Sequence, residues 1–218
     1  MRVTELFPGV YSIDGKIATS NLVHGKKVYN EELVRVGKDE YRMWNPYRSK
    51  LGAAILKGLK TFKITPASKV LYIGAATGTT SSHISDIANA GRVYCIELSE
   101  RNMRDLVNVC EVRSNMLPIL ADAGFPERYE GEIEVCDVIY QDAAAREQAQ
   151  LIIRNSKFLK KGGYVYFVIK SQSIDISEKP EVVFERELGL LKGLYEVVER
   201  IDLEPYDSLH LFAVLRKK

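Results

Sequence analysis

A chain of 218 residues, 46% hydrophobic and 28% charged, carries enough apolar surface for one good core plus a small appendage, which excludes a disordered polymer. No apolar run approaches the roughly 20 residues of a membrane span, and residues 1–5 lack the basic-then-apolar pattern of a secretory signal, so a cytoplasmic chain with no membrane partner is expected. The net charge of +2 hides a contrast: residues 1–63 hold twelve Lys/Arg against six Asp/Glu, and the remainder nineteen against twenty-three. That basic end is a candidate polyanion surface, or equally a solvated face.

Residues 1–50 read as a small β-rich N-terminal domain. The runs at 9–13, 27–29, 33–36 and 41–44 are β-prone and broken by turn formers, and Asp14-Gly15 is a hairpin signature. From Ser49 the spacing of Leu51, Ala54, Ile55 and Leu59 is helical, and Pro66 marks the entry to a strand-then-helix repeat within a second domain over 51–218. Strand-like runs at 70–73 and 93–96 each precede a helix, from about Thr80 and about Glu100. The run at 116–120 leads into a loop, 138–140 precedes a helix carrying Ala149, Ile152, Ile153 and Phe158, and 164–169 is a continuous apolar run suited to a doubly covered central strand. Such alternation argues for a parallel, doubly wound α/β sheet. After a helix near 180–194, the runs at 195–203 and 211–215 are separated by a connection short enough to require an antiparallel pair. A parallel sheet closed by an antiparallel last strand is the Rossmann-like arrangement of class I methyltransferases.

The three cysteines, Cys95, Cys110 and Cys136, are odd in number and form no Cys-x-x-Cys pair, so they read as buried thiols rather than a disulfide framework or a metal site. His24 and His83 read as a loop residue and a helix residue without a ligand partner.

In a doubly wound sheet the first strand-to-helix turn offers backbone N–H groups at a helix N-terminus. Gly74-Ala75-Ala76-Thr77-Gly78-Thr79-Thr80 occupies that turn. Its glycines permit a tight bend, and its N–H groups with Thr79 and Thr80 suit the methionyl carboxylate of S-adenosylmethionine. A dinucleotide fingerprint would need glycine where Ala76 and Thr79 stand, and no Gly-Lys-Ser/Thr follows the strand. Strand ends two, three and four each carry an acid: Glu97, Asp122 and Asp142. Glu97 is spaced to accept both ribose hydroxyls, and Asp122 to accept from the adenine amino group with the Ala123 N–H on the ring. Taken singly, each acid would serve as well as a helix cap or turn former; their coincidence at successive strand ends favours a cofactor crevice.

Tyr72-Ile73-Gly74-Ala75-Ala76-Thr77-Gly78-Thr79-Thr80, followed by Ser82-His83-Ile84-Ser85-Asp86-Ile87, resembles the fibrillarin family. The resemblance extends through Lys26-Lys27-Val28-Tyr29, Trp44-Asn45-Pro46-Tyr47-Arg48-Ser49-Lys50-Leu51, Arg104-Asp105-Leu106, Ile169-Lys170 and Leu203-Glu204-Pro205-Tyr206 ahead of His210. No Gly/Arg-rich extension is present, so the chain is similar to the compact archaeal form. The resemblance implies the catalytic subunit of a box C/D ribonucleoprotein, methylating ribose 2′-hydroxyls of rRNA and possible tRNA targets selected by a guide RNA. It carries a Lys-Asp-Lys-His set onto Lys50, Asp142, Lys170 and His210, and cofactor contacts onto the glycine loop, Glu97, Leu98, Asp122, Ala123, Asp142, Ala143, Ala144 and Ala145.

A 2′-hydroxyl is a weak nucleophile facing an already activated methyl group, so the protein must align the oxygen and remove a proton. Lys170 is the expected base, Asp142 its positioner, and His210 a hydrogen-bond partner of the ribose or of a lysine. Three positions depart from the family pattern: Ala143-Ala144-Ala145 replaces a usual Val-Ala-Gln, Leu98 stands where an aromatic is frequent, and Leu209 replaces an aspartate often found before the tail histidine. Gln148 lies three positions beyond the missing glutamine.

Nothing in the chain resembles an RRM, KH or double-stranded-RNA domain. Target choice is therefore expected to come from partners: guide RNA, a Nop-domain scaffold and a kink-turn-binding protein of the ribosomal type. The alternatives are a stand-alone rRNA ribose methyltransferase and a largely non-catalytic assembly subunit.

Overall fold

The computed structural model describes residues 2–218; Met1, the start of the segment read for a secretion signal, lies outside the described residues. Five strands, β1 (Val3–Phe7), β2 (Val10–Ile13), β3 (Lys16–Ser20), β4 (Leu33–Val36) and β5 (Asp39–Met43), form an antiparallel sheet in the order β1-β2-β3-β5-β4. Asp14 and Gly15 close the β2–β3 hairpin with φ of 47° and 86°, the doubly positive backbone that a tight two-residue hairpin demands. Residues 27–29, expected as a strand, are not one. The Glu31 carboxylate accepts from the N–H groups of Val28 and Tyr29, and a side chain that satisfies these donors locally competes with ladder formation.

The Ser49 hydroxyl accepts from Gly52 N and caps α1 (Lys50–Leu56), so Lys50 is held at the first helical position by its neighbour. The helical spacing read as far as Leu59 stops earlier, with Gly58 at φ 90°. Then follow β6 (Lys69–Ile73), α2 (Thr79–Ile87), β7 (Arg92–Glu97), α3 (Glu100–Glu111), β8 (Met116–Leu120), β9 (Cys136–Gln141), α4 (Gln148–Asn155), β10 (Leu159–Lys170), α5 (Ser171–Ile174), α6 (Pro180–Leu191), β11 (Tyr195–Asp202) and β12 (His210–Lys217). The seven strands lie in the order β11-β12-β10-β9-β6-β7-β8. Pairing is parallel from β10 to β8, whereas β12 runs antiparallel to both β10 and β11. Pro118 sits in the edge strand β8, where a missing ladder donor is tolerated.

Alternation along the strands sorts the core into two layers. Val70, Tyr72, Cys95, Tyr140, Tyr166 and Val168 pack with residues of α1, α2 and α3, while Leu71, Ile73, Ile96, Ile139, Val165 and Phe167 pack with α4 and α6. All three cysteines are buried free thiols. No helix among the described residues is long and apolar enough to cross a membrane.

An ionic cluster joins the two sheets. Arg42 of β5 reaches Glu31 at 2.7 Å and Asp86 of α2 at 2.7 Å, and Arg113 reaches the other Asp86 oxygen at 2.7 Å. Thr19 donates to Asp86 and contacts His83 Nδ1, whose Nε2 meets the Tyr29 hydroxyl at 2.7 Å. His83 therefore has partners the sequence did not reveal, and its ring stacks on Trp44. Part of the N-terminal basic excess is spent inside: Arg42 is wholly buried and Lys50 faces the site described next.

Candidate active site

The chain passes from β6 to β7 and β8 on one side, then crosses to β9 on the other, which opens a crevice beyond the carboxyl ends of β6 and β9. Ile73, Gln141 and Phe167 are in register across β6, β9 and β10, so Gly74 and Asp142 leave the sheet side by side. Gly74 has φ 81°, and a Cβ there would stand 2.7 Å from Ala143 Cα and 2.8 Å from Ala143 N. Only glycine lets the 142–145 segment cross the loop at this distance.

A cavity of about 590 Å³ occupies the crevice. Of the expected cofactor residues, Gly74, Ala76, Glu97, Leu98, Asp122, Ala123, Asp142, Ala143, Ala144 and Ala145 line it; Ala75, Gly78, Thr79 and Thr80 are outside its lining. The Thr80 side chain is buried and donates to Ser49 Oγ at 3.0 Å, so that hydroxyl serves α1 rather than the cavity. The Glu97 carboxylate accepts from Ala76 N and from Ser99 N, both at 2.8 Å, bracing the glycine loop and the start of α3. Asp122 Oδ1 accepts from Gly124 N at 2.7 Å. Leu98 is 68% exposed at the mouth. Sequence reasoning missed the apolar lining from Ile73, Ile96 and Leu151 and the polar Ser99 and Asn102; the apolar ones gave no signal beyond that of core positions.

Gln148 does not replace the missing glutamine at position 145. It is buried, accepts from Lys170 N at 3.0 Å and donates to Ala145 O at 3.1 Å, tying the 142–145 segment to the end of β10.

Lys50, Asp142, Lys170 and His210 come from four distant segments and converge. Lys170 Nζ lies 2.8 Å from Asp142 Oδ1 and donates to the Asp142 carbonyl at 2.6 Å. Lys50 Nζ is 3.6 Å from Asp142 Oδ1. His210 pairs with Lys170 in the β10–β12 register. A fifth side chain completes the cluster: Asp207 Oδ1 is 2.8 Å from His210 Nδ1, and its Oδ2 is 3.4 Å from Lys50 Nζ. The charged neighbour expected to be lost with Leu209 is thus supplied from three residues upstream. Burial lowers the Lys50 pKa, but Asp142 and Asp207 outweigh it and the net shift is upward, so Lys50 stays an ammonium. Burial opposes ionisation of Asp207, yet the His210 hydrogen bond and the Lys50 charge hold its carboxyl below the usual range.

The family model for fibrillarin matches residues 1–218. The chain belongs to the fibrillarin family. A fibrillarin-like rRNA/tRNA 2′-O-methyltransferase of Thermococcus onnurineus is 52% identical over 97% of this chain and 96% of that protein. Aeropyrum pernix fibrillarin, solved in complex with natively bound S-adenosyl-L-methionine, superposes with a TM-score of 0.90 at 43% identity, over 99% of this chain and 98% of that one. The chain of a fibrillarin/Nop5p complex superposes with a TM-score of 0.91 at 37% identity, over 99% of this chain and all of that one. The family's Rossmann-like fold, a mainly parallel sheet with an antiparallel strand behind a β-rich N-terminal region, is the architecture seen here.

Proposed function

We propose that this fibrillarin is an S-adenosylmethionine-dependent rRNA/tRNA ribose 2′-O-methyltransferase, the catalytic subunit of a guide-directed particle. The observation that carries the reading is the Lys50/Asp142/Lys170/His210 cluster at the edge of a cavity rimmed by Glu97 and Asp122. The cavity suits the cofactor: two carboxylates accept from hydroxyls and an amino group, and an apolar strip from Ile73, Ile96 and Leu151 suits a purine ring. When bound, the cofactor supplies a methyl group made electrophilic by its sulfonium.

The chain's own residues divide the remaining work. The Asp142 carbonyl accepts from Lys170 and its carboxylate Oδ1 lies 2.8 Å from the same nitrogen; in the neutral amine the carbonyl takes one N–H, and the carboxylate orients the nitrogen so that its lone pair is left for the 2′-hydroxyl proton. Lys50, kept cationic, is an electrostatic anchor and not the base. Residues 1–50 act as a small domain adding cationic surface, which attracts phosphates without reading sequence. Target choice then belongs to a Nop-domain scaffold, a kink-turn-binding protein and the guide RNA.

The test is methyl transfer from labelled cofactor to a target RNA, with and without reconstituted scaffold and guide. Transfer to the guided ribose requires the full particle, and Lys170→Ala lowers the rate by about 10²–10⁴-fold while cofactor affinity holds. Strong transfer to naked RNA would overturn the guided reading, and a wild-type rate in Lys170→Ala would overturn the assignment of the base.

A further inference from the structure

Leu209 adopts φ 60° although it is not glycine, and two consecutive carbonyls gain from that bend. The Leu209 carbonyl accepts from the Ser171 hydroxyl at 2.9 Å, tying the start of β12 to the end of β10. The Ser208 carbonyl turns to His210 Nδ1 at 2.7 Å. Asp207 Oδ1 stands 2.8 Å from the same nitrogen.

A carbonyl and an ionised carboxylate can only accept. Nδ1 must therefore carry the ring hydrogen, and in the neutral imidazole Nε2 is left with a bare lone pair. Nε2 makes no protein hydrogen bond among the described residues. The second oxygen of Asp207 faces Lys50, so a single carboxylate orients two members of the cluster. We propose that Asp207 is a positioning residue for the methyl transfer: it holds His210 as the Nδ1–H tautomer and anchors the Lys50 ammonium, so that in the bound state the bare Nε2 accepts from the substrate 2′-hydroxyl and keeps its oxygen within reach of Lys170, to which that one proton turns as the methyl is transferred. The inference rests on the ribose methyltransferase reading above.

The role does not follow from the family motif, because the position usually invoked, directly before the histidine, is Leu209 here. It follows from the αL bend, which brings a carboxylate three residues upstream onto the imidazole. Asp207 is partly exposed, with its side chain 30% accessible, and sits in a surface turn, so its replacement leaves the core intact.

The experiment joins nitrogen NMR of the imidazoles with kinetics. In wild-type protein labelled at its three histidines and recorded at alkaline pH, His210 shows a protonated Nδ1 and a bare Nε2. Asp207→Ala, which leaves only the Ser208 carbonyl on Nδ1, lowers the Nδ1–H fraction, lowers the methyl-transfer rate of the assembled particle by about 10- to 100-fold and leaves cofactor affinity and thermal stability unchanged. Asp207→Glu, which keeps the carboxylate, recovers the Nδ1–H signature and most of the rate. An Nε2–H tautomer in the wild type, an unchanged tautomer in Asp207→Ala, or an unchanged rate in that variant overturns the proposal. The tautomer is read without substrate, so a wild-type particle that fails to methylate ribose while showing the Nδ1–H form would refute the ribose reading and not the geometry.

Discussion

Two clusters of ionisable side chains, built from the same chemistry, behave differently because of where they lie. Glu31, Arg42, His83, Asp86 and Arg113 meet between the N-terminal sheet and α2, where every side chain is at most 1% exposed. Lys50, Asp142, Lys170, Asp207 and His210 meet at the strand ends, where the side chains remain 12–30% exposed. At the seam, one aspartate holds both arginines through separate oxygens. Such burial adds little net stability compared with an apolar filling, but it makes the loss of any member costly. At the site, the Lys170 amine and the His210 ring keep capacity for a ligand, and solvent screening makes the individual pairs weak.

Removing the shared carboxylate at the seam breaks the comparison most severely. Asp86→Ala strands the buried Arg113 guanidinium and leaves Arg42 with Glu31 as its one carboxylate, and is expected to cost about 3–5 kcal/mol, read from denaturant unfolding. The same change at Asp207 should leave the unfolding midpoint in place. Next in size is Gly74→Ala, which perturbs the site without touching the seam. Its Cβ meets the Ala143 backbone, so about 1–3 kcal/mol of overpacking and at least a roughly tenfold loss of cofactor affinity by calorimetry are expected.

The seam also confers a pH dependence. Burial, then Arg42 and Arg113, hold the His83 pKa well below its ordinary value. In the unfolded chain it returns to about 6.5, so below that pH the unfolded state binds a proton that the folded state refuses. Stability from this residue is complete above about pH 6.5 and falls by about 1.4 kcal/mol per pH unit below it, until the folded value is reached. Between about pH 7.5 and about pH 5.5 the wild type should therefore lose about 1.4 kcal/mol more than His83→Gln, measured by thermal melts. The smallest effect concerns the bend at Leu209. Asparagine tolerates that φ better than leucine, so Leu209→Asn should gain about 0.5–1 kcal/mol in the same melts while keeping the Ser208 and Asp207 contacts to His210.

The strand-and-helix alternation after Pro66, the Asp14-Gly15 hairpin and the antiparallel tail were all legible in the sequence, because each rests on a local period or a local turn. So were the glycine loop and the acids at strand ends, since in this fold a strand end is already a place. The 27–29 segment was misread because a side chain three residues away satisfied its backbone. Helix α2 shows the opposite limit. Thr80 to Ile87 are all buried, though Ile84 and Ile87 are the only apolar side chains among them, and the facing Thr19, Arg42, Arg113 and Asn115 make the burial of Ser82, His83, Ser85 and Asp86 favourable.

By itself, then, the sequence determined the order of strands and helices after Pro66, where the glycine loop falls and which residue types are available for proton transfer, all properties of near neighbours. Tertiary structure alone decided that Arg42 is an internal strut rather than a phosphate contact, that Thr80 serves Ser49 and that Asp207 joins Lys50 and His210. Those outcomes depend on approach between segments as far apart as residues 50, 142 and 207, and on whether a charge meets its partner inside the fold or at its edge.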